Sequence, residues 1–505
     1  MCSIAGYVSG NSDQVKLMLK SMVHRAPDDM GIFQDSKLSI GMGRLKIIDL
    51  KSENLCPMET DEFVLCYNGE IYNFIELRNI LKKKYNFKTL SDTEVLLYSW
   101  KEWGTKAFDK LNGMFAFAIY DKKKQKIYLA RDIPGEKPLY YYSDEKKFIF
   151  ASEAKALTKI ISLKKNPKNI FYKNFQHFLN DTMFKNVFQL PAAHFLEYDL
   201  RRKKFRIEEY WQFKKRKINI KTADEELEYL LKNSIKLRLR SDVPMGIYLS
   251  EGLDSNLLAS FHKFKSKFYF DDSKNWKRDF YKKINKIVHH LDFPVGSLSS
   301  YPLWKLAERA KNNNIKVIVS GEGADEIFSG YVRYLPISLQ WELERKYKSY
   351  KSLFKKFYNT YLDSFSKITT RSEDHEYVKI KVKKYFEMFD DPINAMGFSD
   401  FKLIMPSLLQ MGDRMSAAFG IENRCPYLDK NIIEFGYSLP PELKIDGLRQ
   451  KIVLRNLAEK RKVIKPLHFE KKGLTIRFNN WFKRTDWDRS YYFSLLNKVW
   501  NLVYK

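Results

Sequence analysis

Cysteine is scarce in this chain. Cys2, Cys56, Cys66 and Cys425 are the only four among 505 residues. None forms a CxxC pair, so neither a zinc site nor a disulfide framework is indicated, and a reducing compartment suits the chain. Long apolar runs are lacking too. No stretch approaches the roughly 18 residues of a membrane span, and the first fifteen residues lack the charged start and apolar block of a signal peptide. A cytoplasmic protein with no membrane partner is expected. Acidic residues are few beside basic ones, 61 against 90, for a formal net charge of +29. Such an excess can draw polyanions. Here it is dispersed in short runs, and Lys, Asn, Ile, Phe and Tyr are abundant together, as AT-rich coding would give. Nucleic acid is therefore not the expected partner.

What is present suffices for two or more domains, with 44% hydrophobic residues. Residues 1–200 read as short strands and turns with a few helices. Val64-Leu65-Cys66-Tyr67 is a strand running into Asn68-Gly69, a strong turn dipeptide. Met114–Tyr120 and Lys126–Ala130 read as buried strands joined by a polar turn. Stacked, largely antiparallel sheets are expected. From about residue 223 the texture becomes α/β. Ile247-Tyr248-Leu249 and Val317-Ile318-Val319 are short strands, each ending at a loop of small and acidic residues. Ligands bind at such carboxyl ends of strands. Tyr347, Tyr350, Phe354, Phe357, Tyr361 and Phe365 recur at helical spacing with lysines between them. That stripe fits the buried face of an amphipathic helix better than a base-stacking platform.

The second residue is a nucleophile. Once Met1 is removed, which a small following side chain permits, Cys2 carries a thiol and a free α-amine on one residue. That amine, with a pKa of roughly 7.7–8.0, can take the thiol proton near neutral pH. Further on stand His24-Arg25-Ala26-Pro27-Asp28, Arg44, Asn68-Gly69-Glu70, Asp92-Thr93-Glu94 and Ala130-Arg131-Asp132. In this order the set resembles the glutaminase domain of the class II glutamine amidotransferases, and in particular that of glutamine-hydrolysing asparagine synthetases. The resemblance implies that Cys2 attacks the glutamine amide and that Asn68 and the Gly69 N–H form the oxyanion hole. It implies that Arg44 clamps the α-carboxylate, Asp92 holds the α-amino group and Glu70 adds polar contacts. Ser3 and Ala26 stand where the family has Gly, which matters only if the backbone there needs a positive φ.

Ser241–Ser255, with Leu249-Ser250-Glu251-Gly252-Leu253-Asp254-Ser255 at its end, resembles the pyrophosphate loop of the same family's ATP-pyrophosphatase domain. Ser320-Gly321-Glu322-Gly323-Ala324-Asp325-Glu326, Asp413-Arg414-Met415-Ser416, the block Glu422–Asp429 and Lys471-Lys472-Gly473 extend the likeness. It implies that Leu249, Ser250, Gly252, Asp254, Ser255, Ser320 and Gly321 bind ATP. Asp254 and Asp325 would hold Mg²⁺, Glu322 would lie near the activated carboxylate, and Lys471 would neutralise adenylate and pyrophosphate charge. Several positions depart from the pattern: Glu251 stands for Gly, Phe293 for an acidic residue, Ser407 for Asp, and the 260–316 segment is short.

The expected architecture is an N-terminal four-layer αββα domain of the N-terminal-nucleophile type over 1–205. An α/β ATP-pyrophosphatase domain follows over 223–505. The expected partners are glutamine, ATP and a carboxylate acceptor, with a homodimer as an open possibility. Aspartate is the family's default acceptor. A sugar or peptide carboxylate, or a glutaminase with an inactive second domain, are the alternatives.

Overall fold

The computed structural model describes residues 1–53, 55–166, 182–270, 276–294, 299–346, 372–463 and 498–504, with positions 359, 361 and 496. Among the described residues, twelve strands build the first half. β1 (Ser3–Val8), β2 (Asp29–Gln34), β3 (Leu38–Arg44), β8 (Tyr140–Ser143), β9 (Phe148–Ala151) and β10 (Val187–Gln189) form one sheet. Its order is β10-β8-β9-β1-β3-β2. β4 (Met58–Glu59), β5 (Phe63–Ile71), β6 (Gly113–Asp121), β7 (Lys126–Arg131), β11 (His194–Asp199) and β12 (Lys204–Glu209) form the other. It is ordered β12-β11-β7-β6-β5-β4. Every pairing in both is antiparallel.

The strands alternate their side chains between two apolar layers. Ile4, Ile40, Met42, Val64, Cys66, Ala116 and Leu129 fill the space between the sheets. Ala5 and Tyr7, pointing the other way, meet Val15, Met18 and Leu19 of the helix Ser12–Ser21. On the far side, Leu65, Phe115 and Phe117 meet Leu96 and Trp100 of the helix Asp92–Trp103. Two helical layers thus sandwich two sheets, the αββα arrangement expected. The turn expected at Asn68-Gly69 does not form. β5 runs straight through both residues, with Gly69 opposite Phe115 and Ile71 opposite Gly113. Glycine is needed there for close approach, since a Cβ on Gly69 would lie 2.1 Å from the Met114 carbonyl oxygen.

Among the described residues, the second half is built on a parallel sheet of four strands. β13 (Met245–Leu249), β14 (Ser266–Tyr269), β15 (Val317–Val319) and β16 (Glu422–Arg424) take the order β14-β13-β15-β16. Both faces are covered, as parallel sheets require. Ile247 and Leu249 face the helices Ala223–Arg238 and Ile452–Lys460, while Tyr248 and Ile318 face Trp276–Leu291, Ser300–Asn312 and Met405–Ala417. Of the aromatic stripe, only Tyr361 lies among the described residues. It is buried and donates its hydroxyl to Asp400 Oδ1 at 2.6 Å, which favours the core reading at that position.

Candidate functional site

Two sites emerge. The first lies at the start of β1, where Cys2 precedes Ser3 opposite Gly43 on β3. Ser3 and Ala26 are not among the residues with positive φ, so replacing the family's glycines creates no backbone strain. The Cys2 backbone N–H donates to Asn68 Oδ1 at 2.9 Å. Asn68 is fully buried, and its Nδ2 has no hydrogen-bond partner among the described residues. An unpaired buried amide is costly. Here it forms a donor held ready beside a nucleophile.

Arg44 ends β3. Its guanidinium is held by carbonyls of the following loop: Ile48 at 3.0 Å, Asp49 at 2.7 Å and Ser52 at 3.1 Å. Asp92 opens its helix behind the N-cap Ser91. Its Oδ2 accepts from the Tyr67 hydroxyl at 2.8 Å and the Ile71 N–H at 2.9 Å. Burial nevertheless raises its pKa against those two bonds. Glu70 accepts from Arg424 on β16 at 3.0 Å. Burial, then the charge of Asp92, hold its carboxyl well above the usual range despite that guanidinium. Cys2, Arg44, Tyr67, Gly69, Glu70, Asp92 and Glu422 line one small cavity of about 30 Å³. All six residues expected there are brought together: Cys2, Arg44, Gly69, Glu70 and Asp92 line the cavity, and Asn68 is bonded to Cys2.

Met1 sits over this site, buried, with its α-amine 3.7 Å from Glu422. Burial lowers that amine to about 6 and raises the Cys2 thiol. With Met1 in place the Cys2 nitrogen is an amide, not a base.

The second site is a cavity of about 410 Å³ at the carboxyl ends of β13 and β15. The loop after β13 is fastened by its hydroxyls. Ser255 Oγ accepts from the Ser250 N–H at 3.1 Å, and Ser250 Oγ accepts from the Gly252 N–H at 3.1 Å. Asn256 closes the turn through the carbonyls of Ser250 and Gly252. Ser250, Gly252, Asp254, Ser255, Ser320, Gly321, Glu322 and Asp325 all line the cavity. Leu249 is instead buried in the core behind the loop. Glu251 lines the cavity mouth and is exposed.

Asp254 and Asp325 converge on one cation, Lys451. Its Nζ lies 2.7 Å from both Asp254 oxygens and 2.7 Å from Asp325 Oδ1. Burial disfavours the ammonium, but the two carboxylates outweigh it and raise its pKa. Gly330 makes room for this cluster, since a Cβ there would meet Asp325 Oδ1 at 2.0 Å. Sequence reasoning missed Lys451. It lies outside every motif considered, in a lysine-rich chain where one more lysine is no signal. Lys471 lies outside the described residues.

Glu322 is half-buried between Asn423 Nδ2 at 3.1 Å and Cys425 Sγ at 3.3 Å. Burial pushes its carboxyl up to about 7 against those bonds. On the helix Met405–Ala417, Gly412 clears its way, because a Cβ would lie 2.7 Å from Glu322 Oε1.

Between the sites lies a buried charge network. Glu153 accepts from Arg25 at 2.6 Å and pairs with Arg414 at 2.8 Å, His24 at 3.2 Å, and Lys155. Asp413 pairs with Arg25 at 3.2 Å and lies 3.9 Å from Lys137. Asp292 pairs with Arg414 at 2.9 Å and Lys155 at 3.2 Å. Phe293, the departure beside Asp292, packs against Tyr140 and Phe184 in this interface and is not on the cavity wall.

Comparison with known proteins agrees with this geometry. A glutamine amidotransferase domain model matches residues 1–211, and an asparagine synthase model matches 226–275 and 272–490. Asparagine synthetase [glutamine-hydrolyzing] 1 of Bacillus subtilis is 30% identical over 582 residues, covering 97% of this chain and 89% of its own. That alignment is longer than this chain, so the relative carries segments absent here. Asparagine synthetase [glutamine-hydrolyzing] 3 of the same organism is 27% identical, covering 91% and 84%. Among solved structures, glutamine phosphoribosylpyrophosphate amidotransferase from B. subtilis is 13% identical over 63% of this chain and 81% of its own, with a TM-score of 0.31. That score is too low to add to the topology described above. The matches over both halves show that this chain belongs to the glutamine-hydrolysing asparagine synthetase family of ATP-dependent amide ligases.

Proposed function

We propose that the chain hydrolyses glutamine at Cys2 and uses the ammonia to amidate an ATP-activated carboxylate in the 410 Å³ cavity. The observation that carries the first half is the Asn68 side chain. Its Oδ1 holds the Cys2 nitrogen while its unpaired Nδ2 offers the donor that a tetrahedral oxyanion needs. Removal of Met1 turns that nitrogen into an amine able to take the thiol proton. It also empties the space above a cavity of only about 30 Å³. Arg44 takes the glutamine α-carboxylate and Asp92, with Glu70, the α-ammonium. A bound cation favours the ionised carboxylates, opposing the burial that raises them.

ATP is read into the second site through the loop Ser250–Ser255 and through Ser320 and Gly321. The paired carboxylates of Asp254 and Asp325 are a hard oxygen donor set that fits Mg²⁺. When bound, that ion would neutralise phosphate charge. Lys451, beside these carboxylates at the cavity wall, is positioned to meet the α-phosphate or departing pyrophosphate. We assign it the role expected of Lys471. Attack of the acceptor carboxylate on ATP gives an acyl adenylate and pyrophosphate. Ammonia then displaces AMP, and Glu322 takes the surplus proton of the attacking nitrogen. A carboxyl near 7 suits that task at neutral pH. Aspartate is the first acceptor to try, and sugar and peptide carboxylates follow. We divide the chain at 1–205 and 223–505, with the interface network as the wall along which ammonia passes.

The test is pyrophosphate release from ATP with each acceptor, driven by glutamine or by ammonium. Native protein should respond to both and Cys2→Ala to ammonium alone. Glutamine-driven release surviving in Cys2→Ala would overturn the assignment.

A further inference from the structure

We propose that Asp242, which precedes β13 of the parallel sheet in the second half, is a positioning residue for the glutamine clamp in the first domain. The inference rests on the reading of Arg44 as the group that binds the glutamine α-carboxylate.

Arg44 does not orient itself. Three of its N–H groups donate to the carbonyls of Ile48, Asp49 and Ser52, so the loop fixes the direction of the fork. The shortest of the three is to Asp49, at 2.7 Å. Asp49 is itself in a strained place, with φ at +57°. A non-glycine residue there is strained and persists only when its surroundings hold it. Two sets of contacts do so. Its own carboxylate accepts from the Ser52 N–H at 3.0 Å, the Ser52 hydroxyl at 2.5 Å and the Leu90 N–H at 2.7 Å. Burial opposes its ionisation, but these bonds outweigh burial and keep the carboxyl below its usual value.

The second set comes from the other domain. The Asp49 backbone N–H donates to Asp242 Oδ2 at 2.8 Å, and the Asp242 N–H donates to the Ile47 carbonyl at 3.0 Å. Asp242 therefore grips the loop on both sides of Ile48. Three residues later β13 begins, and it ends at the loop lining the 410 Å³ cavity. Loss of the Asp242 carboxylate leaves the Asp49 N–H without that acceptor. The Asp49 peptide is then free to leave the left-handed region, and its carbonyl swings away from Arg44. The reacting amide, at Cys2 and Asn68, is untouched.

Asp242 is exposed, so its replacement leaves the core intact. Steady-state glutamine hydrolysis without acceptor tests the idea. Asp242→Ala and Asp242→Ser should raise the KM for glutamine about tenfold, with kcat held within about twofold. Asp242→Asn, which keeps an acceptor oxygen, should stay near native. In an Arg44→Ala background, Asp242→Ala should add nothing further, because both act through one contact. An unchanged KM in the alanine and serine variants, an equal fall in kcat, or a full additional effect in the Arg44→Ala background would overturn the proposal. If Arg44→Ala itself leaves KM unchanged, the clamp assignment fails first, and that result is separable from the others.

Discussion

The two sites are built by opposite means. The Cys2 pocket is small and closed, and register places its residues: β1, β3 and β5 deliver Cys2, Arg44, and Asn68 through Glu70 from adjoining strands of two antiparallel sheets. The nucleotide cavity is more than ten times larger, and loop ends place its residues at the carboxyl edge of a parallel sheet. In the first, the reacting residues come from strand register, and Asp242, Glu422 and Arg424 reach in from the second half. In the second, the central ion cluster joins residues almost two hundred positions apart, Asp254 and Lys451. A pocket made by register tolerates small replacements such as Ser3 and Ala26. The cavity made by loops keeps its lining residues together beside the short 260–316 segment.

The largest effect that would sharpen this contrast is at Lys451. Lys451→Ala should reduce ammonium-driven pyrophosphate release about a hundredfold or more, since it removes a preorganised charge from a developing polyanion. Glutamine hydrolysis should be unaffected. Equal loss of both activities would mean that the sites are not separable.

Next comes the interface. Arg25→Ala takes from buried Asp413 its nearest cation, leaving Lys137 and Arg414 at 3.9 and 4.0 Å, and from buried Glu153 one of its cationic partners. It should cost about 3–5 kcal/mol of stability, read as a lower denaturant midpoint. A change within error would mean that water reaches the network.

A pH profile addresses Glu322. Its carboxyl is raised from 4.5 to about 7, so the base form exists above that value and disappears below it. Ammonium-driven synthesis, corrected for free ammonia, should rise through pH 7 and then level. Glu322→Gln should lose both the step and most of the rate. A native profile flat from pH 6 to 8 would contradict the assignment.

The smallest effect belongs to Glu251. Because it is exposed at the cavity mouth, Glu251→Gly should change pyrophosphate release by no more than about twofold. A large gain on substitution would show that the native loop is blocked.

These regions also differ in how legible they were. The glutaminase residues were readable because they sit in short contiguous motifs, each on one strand or helix start. The exception is instructive: Asn68-Gly69 read as a turn by composition, yet pairing along β6 kept it in a strand and the glycine served close approach. In the second domain the loop motifs were readable for the same reason. Lys451 was not, because its place beside Asp254 and Asp325 arises from where a distant helix begins, with no pattern around it. Asp242 was quoted within a motif, but its partner, the Asp49 N–H, is a backbone group that no residue pattern announces.

The central claim is that nitrogen released at Cys2 reaches the cavity at Glu322 without leaving the protein. The most direct measurement supplies glutamine labelled with ¹⁵N at the amide, together with excess unlabelled ammonium, ATP and the acceptor that supports pyrophosphate release. The product amide is then read by mass. The account predicts ¹⁵N enrichment in the product well above that of the bulk ammonium. A product carrying the bulk isotope ratio would contradict it.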